Sequence, residues 1–157
     1  MKIEKIQRLQ SLLETPKQVV IIPHTNPDGD AIGSSLGFMH FLRQNNHDAQ
    51  VISPNQYPDF LKWVPSSSSL SIYEENPIIA NEKIAQADLI FTLDFNTLSR
   101  IGEMGVQVAA SQAQKIIIDH HQEPDDFADL TFSYPSLDLL LPPILKLAVR
   151  LLYTLMS

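Results

Sequence analysis

Val19-Val20-Ile21-Ile22-Pro23-His24-Thr25-Asn26-Pro27-Asp28-Gly29-Asp30-Ala31-Ile32-Gly33-Ser34 changes character twice. The β-branched run Val19 to Ile22 is short and apolar at every position, the pattern of a strand buried on both faces. Pro23 to Gly29 is polar and turn-rich. From Asp30 to Arg43, Ile32, Leu36, Met39 or His40, and Phe41 or Leu42 recur at helical spacing. A buried strand, a polar loop and a helix in that order open an α/β unit.

The flanks repeat the pattern. Ile3, Ile6, Leu9, Leu12 and Leu13 mark an amphipathic helix ending near Thr15, because Pro16 disfavours the α region in the residue before it. Ala49 to Ser53 is expected to be a second strand. Pro54 to Val64 is a turn plus a short helix carrying Phe60, Leu61 and Trp63, and Ser66 to Ser69 an exposed polar loop. Ile78 to Ala87 is expected to be helical, Leu89 to Leu93 a third buried strand, Gly105 to Ala113 a helix and Lys115 to Ile118 a fourth strand. Strands alternating with helices imply an α/β fold, a parallel sheet flanked by helices.

In such sheets ligands bind beyond the carboxyl ends of the strands. Three polar clusters fall there: His24 to Asp30, Asp94, and Asp119-His120-His121. Carboxylates and imidazoles together suit Mn, Mg, Fe or Zn. Each cluster has a plainer reading taken alone. Pro27-Asp28-Gly29 is a common turn, with Gly29 allowing a tight bend. Asp94 could be a helix N-cap or loop acid. Asp119 to His121 could be a polar loop, though two imidazoles beside a carboxylate are scarce chemistry, and Asp119 could orient one of them. Taken jointly, His24, Asp28, Asp30, Asp94 and His120 supply five side chains toward a two-metal site, which needs at least one bridging carboxylate and clamps a phosphoryl group.

Bulk properties agree. The chain has 157 residues, a formal net charge of -7 and no cysteine. That charge excludes a broad basic surface that would hold long nucleic acid by neutralising phosphates; metal ions can supply the positive charge instead. The absence of cysteine excludes disulfide scaffolds, thiolate zinc sites and cysteine nucleophiles. Met1 to Glu14 lacks a signal-like apolar segment, so the cytoplasm is the expected location and no membrane partner is expected.

His24-Thr25-Asn26-Pro27-Asp28-Gly29-Asp30-Ala31-Ile32-Gly33-Ser34 resembles the first motif of the DHH phosphoesterases. Leu93-Asp94-Phe95, with Arg100 downstream, resembles the second, and Ile118-Asp119-His120-His121 resembles the one that names the family. The likeness spans roughly residues 18 to 136. It implies a parallel-sheet α/β catalytic domain, normally followed by a smaller substrate-binding domain, and two Mn²⁺ ions. Carried over, His24, Asp28 and Asp94 would hold one metal, and Asp30, Asp94 and His120 the other. His121 would touch substrate phosphate as a catalytic group, with Asp119 supporting behind it, and Arg100 would orient the site or touch phosphate.

Within the family, Pro27-Asp28-Gly29-Asp30-Ala31-Ile32-Gly33-Ser34 is most similar to the branch that degrades very short RNA and dephosphorylates 3′-phosphoadenosine 5′-phosphate. The implied partner is therefore short RNA or a nucleotide phosphate, and a homodimer is compatible. Family-II inorganic pyrophosphatases and RecJ-type exonucleases differ in this motif. Cyclic-dinucleotide phosphodiesterases share much of it but usually carry membrane and sensory segments. The sequence departs from the family after Ser136, so the catalytic domain is expected to cover 1–136 and an atypical apolar tail 137–157. A further metal-binding Asp and the substrate-binding domain are expected beyond residue 157 and are absent here, which would weaken the second metal more than the first. Ile144 to Met156 reads as a buried or partner-facing helix, or as a shifted reading frame. The expected function is a Mn-dependent phosphohydrolase; the alternatives are an inactive or metal-binding-only fragment of such an enzyme, or an inorganic pyrophosphatase.

Overall fold

Helices cover both faces of the sheet, which is why its strands are apolar at consecutive positions. The computed structural model describes residues 3–119 and 125–133. His120, His121 and the tail 137–157 lie outside the described residues. Six strands, β1 Gln18–Pro23, β2 Asp48–Ser53, β3 Ser71–Ile72, β4 Leu89–Leu93, β5 Gln114–Asp119 and β6 Leu130–Ser133, form one sheet in the order β3-β2-β1-β4-β5-β6. All five pairings are parallel.

Successive strand residues feed opposite cores. Val19, Ile21, Phe91, Leu93, Ile116 and Ile118 pack beneath α1 Ile3–Leu12 and α2 Gly29–Gln44. Val20, Ile22 and Ile90 pack beneath α3 Pro77–Gln86 and α4 Glu103–Ala110. Phe91 meets Phe38 of α2 edge-to-face, with ring centroids 4.9 Å apart. No helix among the described residues is long and apolar enough to cross a membrane.

The expected α/β fold is observed, and Leu89–Leu93 has the expected bounds. Several local expectations change. α1 ends at Leu12 rather than Thr15. Pro16 has no N–H to offer the Leu12 carbonyl, and the chain tightens first, with the Leu13 N–H shared between Leu9 and Gln10. α4 covers 103–110 rather than 105–113; Ser111 closes it, and its hydroxyl reaches across to the Ile84 carbonyl at 2.9 Å. Ser66 to Ser69 is not an exposed loop throughout. It contains a 3₁₀ turn, and Ser67 is buried with its hydroxyl on the Lys62 carbonyl. Strands β3 and β6 were not foreseen, because runs of two and four residues carry almost no periodicity.

Acids also mark the opposite end of the sheet. Asp88 accepts from the Gln18 N–H at 2.8 Å and Asp129 from the Lys115 N–H at 2.9 Å. Each satisfies a backbone donor at the start of a neighbouring strand.

α4 rests on a 3₁₀ turn, Leu98–Ile101, at Gly105. A Cβ on Gly105 would lie 2.4 Å from the Leu98 carbonyl oxygen, a backbone atom that cannot swing aside. Gly105→Ala should therefore cost about 1–3 kcal/mol through overpacking, read as a lower urea midpoint with unchanged slope.

Buried His47 accepts the Lys17 N–H on Nδ1. Burial, and then the Lys17 charge, lower its pKa below the ordinary 6.5. The unfolded chain thus takes up a proton before the folded one does, so stability falls as pH drops through 6.5 toward the lowered folded value. Thermal melts at pH 7.5 and 5.5 should show a smaller drop for His47→Gln than for the parent chain.

Candidate metal centre

The register decides which side chains meet. Pro23 of β1 pairs with Leu93 of β4, and Leu93 pairs with Ile118 of β5. The next residue on each strand is His24, Asp94 and Asp119, so parallel pairing sets them in one row at the carboxyl edge. The strand order reverses direction between β1 and β4: β2 and β3 extend to one side, β5 and β6 to the other. That switch point leaves an open crevice where α/β sheets bind ligands.

His24 is oriented by its own backbone neighbour. Its Nδ1 lies 2.8 Å from the Thr25 carbonyl oxygen, which can only accept, so Nδ1 carries the proton and Nε2 presents a lone pair. Nε2 stands 4.0 Å from Asp28 Oδ1 and 3.9 Å from Asp94 Oδ2. These are too long for hydrogen bonds. They lie at the outer limit of the spacing of two ligands on one ion, with donors about 2.0–2.2 Å from its centre. Among the described residues no group of three acids and imidazoles is already closed tightly enough to hold an ion. The chemistry of the set, one imidazole and two carboxylates, suits a divalent cation.

Asp28 begins a helix while facing His24. It is the N-cap of α2, and its Oδ1 accepts from the Ala31 N–H at 2.9 Å. Pro27-Asp28-Gly29 is thus the entry to a helix rather than a plain turn. The left-handed bend, however, belongs to Asn26 with φ 53°, not to Gly29, which is the first helical residue. Asp30 is exposed in the first turn of α2, where the positive end of the helix dipole favours its charge.

Asp94 is not a helix N-cap; Thr97 holds that position before the 3₁₀ turn. It has φ 62°, a left-handed backbone that an Asp adopts at a cost, and its N–H bonds the Ile118 carbonyl at 3.0 Å. Backbone held off its preferred region at a ligand crevice is a mark of a functional position. Asp119 is buried at the end of β5. Arg100 contributes its backbone: its carbonyl accepts from the Thr25 hydroxyl, while the side chain is exposed. His120 and His121, the remaining expected members, lie outside the described residues.

Sequence reading missed how the 54–64 segment clamps the first motif. Asn26 N–H donates to Asn55 Oδ1 at 2.7 Å, and Asn55 Nδ2 donates back to Asn26 Oδ1 at 2.5 Å. The paired amides Asn26 and Asn55 were the signal, but only the fold brings them together.

The sequence profile of the DHH family, N-terminal domain, matches residues 18–156. The bifunctional oligoribonuclease and PAP phosphatase NrnA of Thermus thermophilus is 31% identical over 134 residues, covering 85% of this chain and 37% of that protein. The cyclic-di-AMP phosphodiesterase PdeA of Listeria monocytogenes is 27% identical over 136 residues, covering 77% of this chain and 19% of that one. An exopolyphosphatase-related protein from Bacteroides fragilis superposes with a TM-score of 0.90 at 42% identity, over 97% of this chain and 45% of that chain. The exonuclease RecJ bound to manganese shares the fold, with a TM-score of 0.55 at 16% identity, over 98% of this chain and 37% of that one. The chain thus spans less than half the length of each of these relatives.

Capping and any metal-holding role of Asp28 separate by substitution. Asp28→Asn keeps a side-chain acceptor for Ala31 and should melt close to the parent chain. Asp28→Ala should lose about 1 kcal/mol from the unprotected start of α2. Urea unfolding of the two variants side by side reads the difference.

Proposed function

Because the chain belongs to the DHH family, we propose that it is a manganese-dependent phosphohydrolase acting on short oligoribonucleotides and on 3′-phosphoadenosine 5′-phosphate. The observation that carries this reading is the row of His24, Asp94 and Asp119 at the carboxyl edge of three adjacent strands, with Asp28 at His24. The Thermus oligoribonuclease and PAP phosphatase supports the substrate class. RecJ, of the same fold and bound to manganese, supports the metal.

In this reading His24, Asp28 and Asp94 hold one ion. Asp30, Asp94 and His120 would hold a second, with Asp94 common to both sets. Divalent ions in such a site supply Lewis acidity, making water more acidic and offsetting phosphate charge. The chain's own residues do the positioning. The Thr25 carbonyl fixes the His24 tautomer, and the Ala31 N–H fixes the Asp28 carboxylate. The N-terminus of α2 favours negative charge on a phosphate brought beside it. By the family resemblance His121 would contact that phosphate, Asp119 would support it, and Arg100 would orient the site or touch phosphate.

Purified chain with Mn²⁺ should release phosphate from 3′-phosphoadenosine 5′-phosphate and mononucleotides from a short 5′-phosphorylated oligoribonucleotide. Pyrophosphate and cyclic-di-AMP run in parallel as competing substrates, and turnover confined to either would reassign the chain. Asp94→Ala should lower kcat/KM at least about a hundredfold, the scale of several kcal/mol of lost metal-borne stabilisation, while circular dichroism stays unchanged. Near-parent rates in that variant would end the assignment. Folded parent chain that binds Mn²⁺ without turning anything over would instead fit a metal-holding domain with no activity of its own.

A further inference from the structure

We propose that Phe60 and Trp63 form a stacking platform for a nucleobase, set on the lip of the candidate metal centre; this deepens the phosphohydrolase reading above and rests on it.

The segment from Pro58 to Val64 winds as consecutive 3₁₀-type turns, with the N–H groups of Leu61, Lys62 and Val64 each bonded three residues back. At three residues per turn, positions i and i+3 share a side. Leu61 and Val64 take the inner side: Leu61 is buried and Val64 packs partly against the core. Phe60 and Trp63 take the outer side and are 72% and 78% exposed. A single exposed apolar side chain needs no explanation, but two aromatics displayed together on one rigid turn mark a contact surface.

The turn is fastened to the first motif at two points. Asn55 exchanges two hydrogen bonds with Asn26, and Leu61 lies against Gly29, beside Asp28. Asn26 follows the carboxyl end of β1 and Asn55 that of β2, so the segment carrying the aromatics leaves the sheet at the edge that presents His24 and Asp28. A nucleotide whose phosphate lies at those residues has a base within reach of the lip, and every base offers a π face to an aromatic ring. Lys62, between the two rings, is paired with Asp59 at 2.7 Å, so its charge is partly offset by an acid on the turn itself. Exposed aromatic rings with the neighbouring charge offset suit a base better than a second phosphate.

Trp63 is the chain's single tryptophan, which makes its fluorescence a direct reporter. With Ca²⁺ in place of Mn²⁺, 3′-phosphoadenosine 5′-phosphate and a short oligoribonucleotide should quench it saturably, while ribose 5-phosphate, which has no base, should not. In Mn²⁺ assays Trp63→Ala should raise KM for base-bearing substrates roughly tenfold and Phe60→Ala somewhat less, on the usual scale of base stacking. kcat should hold, and a base-free phosphodiester should be indifferent to both changes. Trp63→Phe should recover most of the loss. Both side chains point outward, so circular dichroism should match the parent chain.

Turnover without quenching, or equal KM changes for base-bearing and base-free substrates, would overturn the platform and leave the enzyme reading standing. Base-dependent quenching with no turnover of any phosphate ester would keep the platform and remove the enzyme reading. No binding and no turnover would remove both. A dimer in sedimentation that Trp63→Ala converts to monomer, with no base-dependent quenching, would give the surface to a second copy of the chain and overturn the proposal.

Discussion

Val19 pairs with Leu89, and Leu89 pairs with Gln114. From those two registers most of the molecule's chemistry follows. Parallel strands with side chains on alternating faces cannot slip by one residue without exchanging the two cores. Ile21, Phe91 and Ile116 are committed to the face of α1 and α2; Val20, Ile22 and Ile90 are committed to that of α3 and α4. With both faces packed, the strand ends are fixed, and so is the row that begins with His24.

The same constraint sorts the acids. At the amino edge of the sheet, Asp88 and Asp129 accept backbone N–H groups from neighbouring strands. At the carboxyl edge, Asp94 follows β4 and Asp119 ends β5, beside Ser133 of β6. One edge sets its carboxylates on backbone donors; at the other, Asp94 Oδ2 lies 3.9 Å from an imidazole whose tautomer is set locally. Asp28 stands between the two cases, since it caps a helix and faces His24 at once.

Much of this was legible in the amino-acid order. The continuous apolar runs Val19–Ile22 and Leu89–Leu93 announce strands buried on both sides, and the polar residues after them fall where a parallel sheet opens. Strand order was not legible, because periodicity reports which face is buried and not which strand lies beside which. The short strands β3 and β6 gave no pattern to detect. The Asn26–Asn55 clasp and the approach of Asp94 to His24 depend on contacts through space. The Asp28 cap and the left-handed turn at Asn26 had local cues, since Asp is a preferred helix N-cap and Asn tolerates that backbone.

His24 and Asp94 are far apart along the chain yet approach to 3.9 Å. Nothing local brings them together; they meet only when β1 and β4 have paired across the intervening helices and strands. A partly folded molecule can bring Asp28 to His24 but not Asp94. Whatever binds there selects the fully folded chain and stabilises it as a whole by mass action. Occupancy of such a site would thus be a measure of global folding, and an ion held there would also act as a chaperone for the sheet that holds it.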